Sequence, residues 1–109
     1  EREALAIQQQ VVAADQAAFA KGLVESIETD EAALDRLQST LALDERIVTL
    51  REQVERSTQL RLQEGVVTAS EYLDRSAELL QARFARAGHQ VDLAQAGARL
   101  LTTLGLEVR

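Results

Sequence analysis

The sequence predicts an all-α chain built as a long antiparallel helical hairpin of coiled-coil type. Three observations lead there. With no Pro and only five Gly in 109 residues, little interrupts helix formation. Apolar residues make up 46% of the chain and aromatic residues only 3%; such an Ala-rich, Leu-rich composition packs helices closely and lacks material for a thick globular core. Finally, apolar and small residues recur at alternating steps of three and four, the spacing of a coiled-coil seam.

The first helix is expected over residues 1–64. Leu5, Val12 and Phe19 are spaced by seven, and Leu43, Ile47, Leu50 and Val54 step by four, three and four. Between these runs lie Gly22 and the stretch Glu28-Thr29-Asp30-Glu31. There Thr29 or Asp30 could cap a new helix, with Glu31 favouring its positive end. Two forms are compatible with this pattern. The preferred one is a continuous helix, about 95 Å long at about 1.5 Å per residue. In the other, the helix breaks near Thr29, and segments 1–28, 30–63 and 68–104 close as a three-helix bundle.

The turn is predicted at residues 65–67. Gly65 follows a helical run and suits the left-handed position just past a helix C-terminus. Val66 is then placed to touch Leu60, the usual apolar contact of that stop. Thr68-Ala69-Ser70-Glu71 reads as a capping box, and Val67 and Tyr72 flank it as a hydrophobic staple. So short a link makes the flanking helices antiparallel neighbours.

The second helix is expected over residues 68–104. Ala69, Leu73, Ala77, Leu80, Phe84, Ala87, Val91, Ala94, Ala98 and Leu101 form one stripe. A second runs through Tyr72, Leu79, Leu93 and Leu100, interrupted by Arg86. Two stripes on one helix call for two neighbours, one more than a simple hairpin supplies. Gly88 and Gly97 each cost about 1 kcal/mol relative to Ala in a helix interior. Gly97, beside Ala98, is expected to admit a close neighbour; Gly88 has no comparable reason.

Charge and chemistry narrow the function classes. Residues 1–64 hold 13 acidic and 7 basic side chains, a net −6, and residues 65–109 hold 5 of each. An acidic first half argues against nucleic acid as a partner, because phosphate binding needs clustered Lys and Arg. Cysteine is absent, which excludes disulfide and thiol chemistry. No apolar run approaches the roughly 18 residues of a membrane helix, and no signal peptide is visible. Because the sequence starts at Glu1 without Met, it is expected to be an excised part of a longer protein. The single histidine, His89, sits between Gly88 and Gln90 and is expected to face solvent. No metal-ligand spacing surrounds it, and there is no Gly-rich phosphate loop. Adjacent acids such as Asp44-Glu45 and Asp30-Glu31 diverge on a helix and are not acid/base couples. Tyr72 reads as a staple or seam residue rather than a catalyst. The expectation is a chain that is not an enzyme, with no catalytic residue, metal or cofactor.

The turn, together with the helix after it, resembles the TolC family of outer-membrane efflux proteins. The carrying residues are Leu62-Gln63-Glu64-Gly65-Val66-Val67-Thr68-Ala69-Ser70-Glu71-Tyr72-Leu73-Asp74, then Leu79-Leu80-Gln81-Ala82-Arg83, then Leu100-Leu101-Thr102-Thr103-Leu104-Gly105, in order and at the family's spacing. The likeness covers residues 56–105; before that it is compositional. It implies the second-repeat hairpin of a homotrimeric channel whose helices form a periplasmic tunnel beneath an outer-membrane β-barrel. The tip, Gly65, Val66, Val67 and Thr68, would meet a periplasmic adaptor protein coupled to an inner-membrane transporter, for export of small molecules. Glu71 and Asp74 match acidic family positions that line the pore near the tip. Read from the residues alone, they are also the capping-box acid and a surface charge. Where family members can carry Tyr and Arg that hold the tunnel's end closed, this chain has Leu62 and Val67.

Two other readings are compatible with the sequence. One is the helical hairpin of the adaptor protein itself, whose tip resembles the start Arg61-Leu62 but has an acidic residue where Val66 stands here. The other is a coiled-coil scaffold. If the chain is a channel hairpin, the isolated chain is expected to self-associate or to fold its first segment back.

Overall fold

The computed structural model describes residues 1–108, with side chains through residue 105. Two helices, α1 over Arg2–Gln63 and α2 over Ala69–Val108, lie side by side as a hairpin measuring 94 × 19 × 15 Å. No strand occurs among the described residues.

α1 passes Thr29 without a break. The Thr29 hydroxyl donates back to the Glu25 carbonyl at 2.9 Å, a bond made inside a continuing helix rather than at a cap. Asp30 turns toward α2 and accepts from the Thr103 hydroxyl at 3.0 Å. The three-helix form therefore does not arise. Nor does the first segment fold back: residues 1–22 extend beyond the end of α2, exposed throughout.

The seam between the helices differs from the apolar stripes that the sequence displays most plainly. α1 turns inward Leu23, Ile27, Asp30, Leu34, Leu37, Leu41, Asp44, Val48, Arg51, Glu55, Thr58 and Leu62, an unbroken alternation of steps of four and three. α2 answers with Tyr72, Arg75, Leu79, Ala82, Arg86, His89, Leu93, Ala96, Leu100 and Thr103 at the same spacing. The second stripe of α2 is thus the packed one, with Arg86 a member of it. The first stripe, from Ala69 to Leu101, stays exposed along its whole length, with Leu73 at 64%, Phe84 at 69% and Leu101 at 71%. On α1, Leu43, Ile47 and Leu50 are likewise exposed, and Val54 is half-buried.

The core is correspondingly thin. Val48, Leu79 and Ala96 are the buried apolar side chains among the described residues. Large apolar side chains of this kind contribute about 1.5–3 kcal/mol each on full burial, so a two-helix rod has little to offset the entropy of ordering it. The close approach expected at Gly97 is not made within the hairpin, where nothing lies within 4 Å of an added Cβ.

Candidate functional site: the tip and the flanks

The tip is built by a stop and a start. α1 ends when Gly65 enters the left-handed region at φ +77°, a conformation that costs an L side chain but not glycine. That turn lets the Val66 amide donate to the Arg61 carbonyl at 2.9 Å and the Gly65 amide to the Leu62 carbonyl at 3.0 Å. These two bonds are the Schellman pattern, and they satisfy carbonyls the helix end would otherwise leave bare. Val66 and Leu60 both remain exposed.

α2 starts at Thr68, whose hydroxyl accepts from the Glu71 amide at 3.2 Å. The return half of the expected capping box does not form: the Glu71 carboxylate takes no bond from the Thr68 amide. Glu71 and Asp74 are both exposed, and neither carboxylate has an ion-pair or hydrogen-bond partner among the described residues. The four predicted tip residues, Gly65, Val66, Val67 and Thr68, lie together at the end of the rod. Val67 is half-buried and the other three are exposed.

Just behind the tip, polar pairs tie the helices together. The Tyr72 hydroxyl donates to Glu55 Oε1 at 2.7 Å, so this ring serves as a cross-helix strut. Glu78 takes Arg51 at 2.9 Å on one oxygen and Arg75 at 2.6 Å on the other. Glu78 raises the Arg75 pKa above its ordinary value, first by that hydrogen bond and then by its charge. Arg83 lies 3.8 Å from Glu52. These side chains are a third to a half exposed, so solvent screens each pair and none adds much stability. Their effect is on alignment, since each acid meets its base only in one register.

His89 requires a correction. Expected at the surface, it turns into the seam, with Nδ1 at 2.5 Å from Asp44 Oδ2. Asp44 is only 8% exposed. Residue 89 falls on the same seven-residue repeat as Ala82 and Ala96, and that repeat is the face α2 turns to α1. A carboxylate buried there needs a polar partner, and His89 supplies it. Reading the three-four alternation through its polar members would have found Asp44, His89, Arg51 and Glu55; a search for apolar stripes passes over them.

Among the described residues no group of three or more His, Cys, Asp or Glu could hold a metal ion. No described helix is long and apolar enough to cross a membrane. Surface depressions lie along helix faces, as at Ala42, Glu45, Arg46, Thr49, Leu50 and Gln53, or in the polar cleft where Arg99 and Thr103 meet Thr29 and Asp30. What the hairpin does present is a stiff tip and an apolar face on each flank. No protein-family model, no curated protein and no solved structure matches the chain.

Proposed function

We propose that the chain is the tunnel-forming periplasmic hairpin of a TolC-like outer-membrane efflux channel. It acts by packing and by contact at its tip rather than by catalysis. Its main support is the pair of apolar faces left open on the flanks of a rod 94 Å long. A hairpin that served alone would bury its best apolar residues between its own helices. This one spends a polar-laced seam internally and holds Leu73, Leu80, Phe84 and Leu101 outward, as a stave of a larger wall requires. The ordered sequence likeness from Leu62 to Gly105 supplies the family.

On this reading the tip, Gly65 to Thr68, meets the periplasmic adaptor, which in turn engages an inner-membrane transporter. Val66, 69% exposed, is its most prominent apolar group. Glu71 and Asp74, free of partners among the described residues, would repeat around a trimer as rings of carboxylate that favour cations. Leu62 and Val67 are half-buried aliphatic residues, so closure of the tunnel end would not use polar contacts at those positions.

The test is Gly65→Val in the full-length protein. Efflux and adaptor cross-linking should fall while helicity by circular dichroism is kept. Unchanged drug resistance would remove the tip from the contact and the channel reading with it.

A further inference from the structure

The inward face of α1 does not stop where α2 does. Thr103 meets Asp30 and His89 meets Asp44 across the seam, a register that brings Val108 to the height of residue 25. Carried on past Leu23, the same steps of three and four pass through Ala20, Gln16, Ala13, Gln9 and Ala6. Leu5, Val12 and Phe19 each stand just before one of those alanines and are 57%, 54% and 65% exposed. The overhang thus repeats one heptad: a large apolar residue, then Ala, then Gln three positions further on. Between residues 4 and 20 the one charged side chain, Asp15, lies on the flank of this face. A shallow groove lined by Leu5, Gln8, Gln9, Val12, Ala13 and Gln16 runs along it. We propose that a second copy of this chain covers the face. The two overhangs pair antiparallel about a two-fold axis between Val12 and Ala13, joining the hairpins end to end with their tips pointing apart.

The face is complementary to itself. In that register Leu5 meets Ala20 of the second copy, Phe19 meets Ala6, Val12 meets Ala13 and Gln9 meets Gln16. Each large side chain faces a methyl group, so the layers fill evenly. The two glutamine amides, each both donor and acceptor, face one another. Asp15 comes beside Gln10 rather than beside another acid. A parallel pair in register would instead set Phe19 on Phe19 and alanine on alanine. Sliding the antiparallel pair by one heptad toward the tips drives Leu5 onto Ile27, which α2 already covers.

The length fits as well. Leu5 of the second copy reaches the height of residue 20, five residues short of Val108, or about 7 Å at about 1.5 Å per residue. Residues 1–4 of each copy then pass beside the last turn of the other copy's α2. Three heptads on each copy bury on the order of 1,000 Å², near the lower bound for a specific interface, so the dimer forms reversibly in the micromolar range. One patch serves both copies, so the contact is isologous and closes at two. It uses neither the flanks of the rod nor its tip, and it stands independently of the channel reading.

The chain has no cysteine, so introduced thiols report the contact directly. In the full 109-residue chain, Gln9→Cys mixed with Gln16→Cys should give a disulfide-linked dimer on mild oxidation. Neither variant alone should give one. Small-angle scattering at high micromolar concentration should show a particle about 150 Å long, against 94 Å for one hairpin. Val12→Asp, which sets two carboxylates at the axis, should weaken the dimer in sedimentation about tenfold or more. Cross-linking through Gln9→Cys alone would show parallel pairing, and a dimer no longer than one hairpin would show the flanks in contact; either result overturns the proposal. So would a chain that stays monomeric at that concentration, or a Val12→Asp chain that associates as before. A Gly65→Val channel that still effluxes would instead remove the channel reading and leave this pairing standing.

Discussion

Gly65 is the residue on which the hairpin turns, and its φ of +77° makes it hard to replace. A β-branched side chain there should cost about 1–2 kcal/mol, read as a lower urea midpoint, and Gly65→Asn should cost less because Asn tolerates that region. His89 and Asp44 form the other residue-scale constraint. Removing either leaves a polar group unpaired in the seam, at about 1–3 kcal/mol. Replacing both with Leu should be milder than adding the two losses, with a coupling of about 0.5–3 kcal/mol in a double-mutant cycle. Additive losses would mean that the contact does not hold the seam. Glu71 and Asp74 carry a functional prediction instead. On the proposed channel reading, Glu71→Gln with Asp74→Asn should lower the cation preference of the reconstituted channel, measured by reversal potential, without changing its assembly.

At the scale of the element, each helix shows what its spacing means and where that meaning stops. α1 had two sequence readings, and the continuous one occurs because Thr29 bonds back to Glu25 inside the helix while Asp30 is drawn to Thr103 across the seam. Capping propensity is local, and both residues found better-paired alternatives in the presence of α2. α2 contains glycines that no contact within the hairpin requires. Gly88 has nothing within 4 Å of an added Cβ, so Gly88→Ala should stabilise the isolated hairpin by about 1 kcal/mol, seen as a higher unfolding midpoint. A loss of stability would mean that another chain already occupies that space.

For the molecule as a whole, the uneven helix lengths predict uneven protection. Residues 1–22 have no partner in the hairpin and are fully exposed, and an isolated Ala-rich helix of that length is marginal in water. Their amides should exchange with solvent well before those around Val48 and Leu79, where the buried core lies. Equal protection along α1 would mean that the overhang is covered by another chain. Deleting residues 1–20 should accordingly leave the stability of the rest within about 0.5 kcal/mol.

Composition, the three-four spacing and the glycine followed by a Thr-x-x-Glu start were enough to predict two long helices meeting at residues 65–68. Those are local properties: helix propensity, a left-handed stop and a hydroxyl cap act within a few residues of chain. The tertiary structure decided which face of each helix turns inward. The seam runs through Asp44, Arg51, Glu55 and His89, residues that look like solvated surface until their opposite partners are known. A buried charge is tolerable only when a complementary group stands across from it, and that group lies 17 to 45 residues away in the chain. Apolar stripes, by contrast, announce a need for company without saying whose, and of the two on α2 the other helix of the hairpin takes only the second.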